Sequence, residues 1–126
     1  MAMRCLIVDD SARFLQAARA LLEREGSVEV VGVASTSADA IARAEALSPD
    51  VLLLDIDLGG ESGFELARAV DDRVRKGHFK EHTPRMILIS THSEEDFEEL
   101  IEASPAVGFL NKSALSTRAI RELLSS

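Results

Sequence analysis

The run Val51-Leu52-Leu53-Leu54 contains no polar side chain and ends abruptly in Asp55-Ile56-Asp57. A strand whose side chains do not alternate between apolar and polar must be covered on both faces, as happens inside a parallel sheet. Cys5-Leu6-Ile7-Val8, Met86-Ile87-Leu88-Ile89 and Val107-Gly108-Phe109-Leu110 have the same character, and Val28 to Val33 completes a set of five. Parallel neighbours cannot be joined by a tight hairpin, so each pair needs a crossover segment, usually a helix.

The intervening segments have the helical period. Phe14, Leu15, Ala18, Leu21 and Leu22 form one apolar stripe, with Ser11 placed to cap its start and Gly26 to end it. Ser37 is placed to cap a second helix running through Leu47, stopped by Ser48-Pro49. A third helix is expected from Gly63 to about Arg75, after the turn signal Gly59-Gly60. A fourth is expected from Glu94 to Ala103, ended by Ser104-Pro105, and a last one carries Leu115, Ile120, Leu123 and Leu124. Five β-α units with right-handed crossovers predict an α/β fold, a parallel sheet with helices on both faces. Gly77 to Pro84 reads as a polar loop. Its His78 and His82 are spaced like metal ligands, but no carboxylate or cysteine completes a set in the sequence, so a solvated loop is expected.

In such sheets ligands bind at the carboxyl ends of the strands. The residues just beyond strands one, three, four and five are Asp9-Asp10, Asp55, Ser90-Thr91 and Lys112. Three carboxylates at one edge raise one another's pKa or need neutralising. Mg²⁺ suits the task, since it takes a few carboxylate oxygens and leaves room for water and phosphate oxygens. Lys112 brings one positive charge and Ser90 one hydroxyl donor. Together these are the parts for moving a phosphoryl group onto a carboxylate, with Asp55 the central nucleophile.

Composition removes other classes. With a net charge of −8 the chain lacks the clustered cations that direct nucleic-acid binding requires. At 126 residues and 46 % hydrophobic it is expected to be one folded domain rather than a disordered acidic tail. No apolar run is long enough for membrane insertion, and no signal peptide is visible after Met1. The single cysteine, Cys5, cannot form an internal disulfide, which fits a reducing cytoplasm. A Rossmann cofactor domain is excluded because no G-x-G-x-x-G follows the first strand.

Leu6-Ile7-Val8-Asp9-Asp10, Asp50 to Asp57 with Gly63 beyond, Ile87 to Ser90, and Gly108-Phe109-Leu110-Asn111-Lys112 resemble the receiver domain of two-component response regulators over essentially the whole chain. The pattern Gly-Phe-Leu-x-Lys-Ser-Ala-Leu at the last strand is most similar to NarL/LuxR-type receivers. The resemblance implies a doubly wound five-stranded parallel sheet of order 2-1-3-4-5 flanked by five helices, the flavodoxin or CheY-like arrangement. It implies that Asp55 accepts phosphate from a sensor histidine kinase. Asp9, Asp10 and Asp55 would hold Mg²⁺ with the main-chain carbonyl of Asp57, and Ser90 and Lys112 would bind the phosphoryl oxygens. Ser90 and Phe109 would form the switch pair, Phe109 also reading simply as a buried strand aromatic. The chain would be a phospho-acceptor that assists its own phosphoryl uptake and loss, rather than an enzyme acting on a separate substrate.

Ser113 follows Lys112 where the family usually has proline after a cis bond, so the peptide here is either strained cis or trans in a reshaped loop. Thr91 is bulkier than the family favours and is expected to narrow access for small phosphodonors. Asp57 and His92, two residues beyond Asp55 and Ser90, are candidates for tuning loss of the phosphoryl group, or are plain turn residues. Glu94, Glu95, Asp96, Glu98, Glu99 and Glu102 place six negative charges on the fourth helix, whose apolar stripe is Phe97, Leu100 and Ile101. In the resembling family this helix, strand five and helix five form the output face, here expected to meet a basic protein partner or to support a homodimer. The chain stops after the fifth predicted helix, so a stand-alone receiver without a DNA-binding output domain is expected, the receiver portion of a longer regulator being the alternative. Asp55-Ile56-Asp57 also fits the DxD nucleophile motif of haloacid-dehalogenase-like phosphatases, but that motif normally follows the first strand and would leave Asp9-Asp10 unused.

Overall fold

The computed structural model describes residues 2–125. Five strands, β1 (Met3–Val8), β2 (Val28–Ala34), β3 (Val51–Asp55), β4 (Arg85–Ser90) and β5 (Gly108–Asn111), pair in parallel in the order β2-β1-β3-β4-β5. Helices α1 (Ala12–Glu25), α2 (Ser37–Leu47), α3 (Gly63–Arg75), α4 (Glu98–Ala103) and α5 (Thr117–Ser125) connect and flank them. This is the doubly wound architecture expected from the sequence.

The apolar runs behave as their composition requires. Cys5 and Ile7, Val51 and Leu53, Ile87 and Ile89 face one way, into a core closed by Leu15, Ala18 and Leu22 of α1 and Ile120 and Leu124 of α5. Leu6 and Val8, Leu52 and Leu54, Met86 and Leu88 face the other way, against Ala40 and Ala44 of α2 and Phe64, Leu66, Ala67 and Val70 of α3. All five residues of β3 are buried. Cys5 lies in the first core, fully buried, and burial pushes its thiol up to about 12, so it is an inert core residue.

The helix ends follow local chemistry, with corrections. Ser11 Oγ accepts from Phe14 N–H at 3.2 Å, and Gly26 closes α1 at φ 86°, a left-handed value that glycine adopts freely. The cap of α2 is Thr36 rather than Ser37, since the Thr36 hydroxyl accepts from Asp39 N–H. Ser37 is the first helical residue, and its N–H donates to Glu61. The expected fourth helix is split: Glu94–Phe97 form a 3₁₀ turn and only Glu98–Ala103 are α-helical. Its charges explain the weakness. Glu94/Glu98, Glu95/Glu99 and Glu98/Glu102 are like-charge pairs four residues apart, and no lysine or arginine relieves them. Of the expected stripe, Phe97 and Ile101 pack on the core while Leu100 is 50 % exposed. β5 starts one residue later than expected, leaving Val107 exposed.

The polar loop between α3 and β4 is held by the carboxylates the sequence did not place near its histidines. His78 Nδ1 lies 2.9 Å from Glu45 Oε2, and His82 Nε2 lies 3.3 Å from Asp50 Oδ1. The two histidines take different acids, and neither joins a metal-type cluster among the described residues.

Candidate functional site

The parallel register brings the carboxyl ends of β1, β3, β4 and β5 to one edge. Asp9 follows β1, Asp55 ends β3, Ser90 ends β4 and Lys112 follows β5. Asp9 is fully buried, and its Oδ1 accepts from Ser11 N–H at 2.8 Å, so the residue that caps α1 is itself held by the site. Asp55 is 5 % exposed, and its Oδ1 accepts from Asp57 N–H at 3.3 Å. Lys112 Nζ bridges the two acids, 2.5 Å from Asp9 Oδ2 and 3.4 Å from Asp55 Oδ2. Asp10 is exposed, and carboxylate oxygens of Asp9, Asp10 and Asp55 all lie within 4.8 Å of one another.

Three carboxylates against one ammonium leave negative charge in excess at a largely buried point. Burial pushes the Asp55 carboxyl up to about 6, with the charge of Asp9 adding to it and the Asp57 N–H and Lys112 opposing. Burial works against the Lys112 ammonium, but the contact with Asp9 and the charges of Asp55 and Asp9 outweigh it and hold its pKa above the ordinary lysine value. The donor set is all hard oxygen, clustered and under-neutralised, which fits a small divalent cation such as Mg²⁺.

Two glycines make room for this edge. Gly59 has φ 62°, and a Cβ there would lie 2.8 Å from Asp10 Oδ2. Gly63 opens α3 directly against the end of β3; its N–H donates to Ile56 O at 2.9 Å, and a Cβ would lie 2.1 Å from Asp55 O. Ser62 Oγ caps the same helix by accepting from Phe64 N–H. The sequence flagged Gly59 as a turn signal and Gly63 as part of the resemblance, but neither as a spacer.

Ser90 is buried, one residue beyond Ile89, the register partner of Asp55. Its Oγ accepts from His92 N–H at 2.9 Å. Phe109 is 7 % exposed and packs into the core shared with α2 and α3. Thr91 and His92 are exposed, and their carbonyls receive the Asn111 side-chain amide at 3.4 and 3.2 Å. The His92 ring meets Phe97 edge-on at 6.1 Å between centroids. Asp57 is exposed, and its carboxylate is occupied within its own turn, accepting from Gly59 N–H at 3.2 Å.

The Lys112–Ser113 peptide, like every peptide among the described residues, is trans. The loop is reshaped into a 3₁₀ turn, Lys112–Ala114, with Asn111 Oδ1 accepting from Ser113 N–H at 3.0 Å and from the Ser113 hydroxyl at 2.8 Å. Sequence reasoning also missed Phe14 at this edge: Lys112 Nζ sits 4.4 Å from the centre of its ring.

Comparison with known proteins agrees with this fold. The response regulator receiver domain family matches residues 5–124. The signal receiver domain of NarL from Mycobacterium tuberculosis superposes with a TM-score of 0.79 at 32 % identity, covering 98 % of this chain and 94 % of that one. The response regulator domain of Thermotoga maritima CheB superposes at 0.73 with 26 % identity, covering 99 % and 92 %. A protein-glutamate methylesterase/protein-glutamine glutaminase of Myxococcus xanthus is 37 % identical over 96 % of this chain, which spans 33 % of that relative. The chain spans 53 % of the transcriptional regulatory protein NarL of M. tuberculosis, at 33 % identity. No described helix is long and apolar enough to cross a membrane. The ordering of strands, the acidic edge with its bridging lysine and the family match lead to one conclusion: this chain belongs to the response regulator receiver domains of two-component signalling.

Proposed function

We propose that Asp55 accepts a phosphoryl group from a phosphohistidine of a sensor histidine kinase. The observation that carries the reading is Lys112 Nζ bridging Asp9 and Asp55, beside Asp10, at a largely buried sheet edge. A carboxylate oxygen of Asp55 attacks phosphorus, the P–N bond to the donor imidazole breaks, and the leaving nitrogen takes up a proton. Asp9, Asp10 and Asp55 would hold Mg²⁺ with the main-chain carbonyl of Asp57. The ion would supply positive charge against the carboxylates and the incoming phosphoryl oxygens. Lys112 and the Ser90 hydroxyl pair with those oxygens. The Ser90 oxygen accepts from His92 N–H while its O–H stays free to donate, so a turn of Ser90 toward a phosphoryl oxygen acts as a switch on the segment leading into α4. Phe109 is the aromatic member of that switch. Thr91, His92 and Asp57 border the opening and set the rates of uptake and loss.

The output face is formed by α4, β5 and α5. The six carboxylates from Glu94 to Glu102 make no ion pair within the described chain, while Leu100 of α4 and Val107, just before β5, lie exposed, which suits a basic partner with apolar contacts. A homodimer through this face and cytoplasmic action are parts of the same proposal. The phosphatase reading is not favoured, because Asp55 ends the third strand rather than the first and an Asp57 carboxylate oxygen accepts from Gly59 N–H within its own turn.

Incubation with Mg²⁺ and acetyl phosphate, or with beryllofluoride, tests the proposal. A single base-labile modification, lost in Asp55→Asn, is expected. Continuous turnover of generic phosphomonoesters, or labelling that survives Asp55→Asn, would overturn it.

A further inference from the structure

Lys112 has three partners, and the third carries no charge. Its side chain is 15 % exposed and lies between Asp9, Asp55 and the ring of Phe14, whose centre is 4.4 Å from the ammonium nitrogen. Phe14 sits in the first turn of α1, half-buried against the core shared with α5. Its place in the apolar stripe explains why it is hydrophobic but not why a ring should lie within range of a cation. The ring's position is tied to the site: Phe14 N–H is capped by Ser11 Oγ, and Ser11 N–H is held by Asp9 Oδ1, the same carboxylate that meets Lys112.

We propose that Phe14 is a positioning residue for phosphoryl acceptance, its ring seating the Lys112 ammonium between Asp9 and Asp55. The inference rests on the reading of Asp55 as the acceptor. Lys112 lies closer to Asp9 than to Asp55, so phosphoryl acceptance requires its charge to be shared out toward the oxygens arriving at Asp55. A π face attracts the ammonium without neutralising it and without a lone pair that fixes one direction, so it holds the nitrogen while its carboxylate partners change. A third carboxylate in that place would spend the charge, and an aliphatic side chain would offer no electrostatic hold. The turn that carries Lys112 is itself set by the Asn111–Ser113 contacts, which leaves the end of the long side chain to be placed by Asp9, Asp55 and Phe14.

The test uses the full chain in two measurements. NMR of lysine carrying ¹³C at Cε, with no phosphodonor present, reads the seat directly: the Lys112 Hε signals are displaced upfield by the ring in wild type and Phe14→Tyr, and return to ordinary lysine positions in Phe14→Leu. Phosphoryl uptake from acetyl phosphate with Mg²⁺ reads its consequence. Phe14→Leu is expected to slow uptake about 3- to 10-fold, the loss of a partly desolvated cation–π contact. Phe14→Tyr stays within about twofold of wild type, keeping its π face. Pentafluorophenylalanine at position 14 keeps the shape of the ring, reverses the charge of its face, and slows uptake as leucine does. In a Lys112→Met background, Phe14→Leu has no further effect. An unshifted Lys112 in wild type, uptake by Phe14→Leu at the wild-type rate, or an equal loss in the Lys112→Met background overturns the seat. A shifted Lys112 in a wild type that takes up no phosphoryl group overturns the acceptor reading, and the positioning role with it.

Discussion

Replacing Gly63 with alanine tests whether the junction of β3 and α3 is as tight as its geometry states. The added methyl would lie 2.1 Å from the carbonyl oxygen of Asp55, 2.7 Å from Ile56 Cα and 2.8 Å from Asp55 C. All three are backbone atoms, so no side chain can rotate out of the way. An ordinary carbon–oxygen contact is about 3.3 Å or more, so α3 would have to back away by about 1 Å. Overpacking of this kind costs ~1–3 kcal/mol. Stretching the bond from Gly63 N–H to Ile56 O adds about 1 kcal/mol. Alanine's better helix propensity returns ~1 kcal/mol at most. A net loss of about 2 kcal/mol should lower Tm by roughly 5–10 °C for a domain of this size. Urea unfolding at pH 7.5 measures it, as a lower midpoint with an unchanged slope. Gly108→Ala is the control. Its methyl would also come close to a neighbour, 2.7 Å from Leu123 Cδ2, but a side-chain end can move, so the loss should be smaller. Helix propensity alone predicts that Gly63→Ala stabilises, so the two accounts differ in sign. A neutral or stabilised Gly63→Ala would refute the steric reasoning. The same displacement shifts Asp55 and Ile56, and uptake of phosphate should fall with stability.

The raised Asp55 pKa makes a prediction about stability and pH. The folded chain keeps its Asp55 proton up to about 6, where the unfolded chain has already lost it near 3.8, so the wild type loses stability as pH rises between those values and stays weaker above them. In chelator, Asp55→Asn should therefore be more stable than wild type at pH 7.5, with the gap closing below about pH 4 and shrinking when Mg²⁺ is added; a wild type that is the more stable partner at pH 7.5 in chelator would contradict this. Thr91→Ala should speed uptake from acetyl phosphate but leave transfer from a kinase nearly unchanged, and an unaltered small-donor rate removes the steric role. Asp57→Asn and His92→Ala should change the rate of phosphoryl loss more than about twofold, in a pulse-chase of the phosphorylated chain; smaller effects make them plain turn residues. Glu98→Lys with Glu99→Lys should weaken capture of a basic amphipathic peptide at low salt, where exposed charges are least screened, and equal binding before and after counts against an acidic docking face.

Much of this molecule could be read before its structure was described, because its sheet is buried on both sides. Runs such as Val51 to Leu54 have no polar face to hide, so their composition alone specifies a covered parallel strand, and the rule that ligands gather at strand carboxyl ends turns Asp9, Asp10, Asp55, Ser90 and Lys112 into one edge. The site was legible because its members are polar residues within two positions of the end of an apolar run. The split of the fourth helix was not drawn from the sequence, since its three like-charge pairs act against a helical period that remains formally intact. The partners of His78 and His82 were hidden too, since Glu45 and Asp50 lie about thirty residues away along the chain and meet the loop only after the sheet is assembled.

By itself, then, the sequence determined the kind of sheet, the edge that carries the acidic cluster and the charges that gather there, because these follow from the order of apolar and polar residues along each β-α unit. Distances and exclusions were decided by the tertiary structure: Lys112 closer to Asp9 than to Asp55, the Phe14 ring against its ammonium, and the Gly63 backbone pressed onto Asp55. Those depend on how α1 packs beside the turn after β5 and on how tightly α3 folds back onto the end of β3, and close packing settles such contacts to tenths of an ångström that no residue pattern encodes.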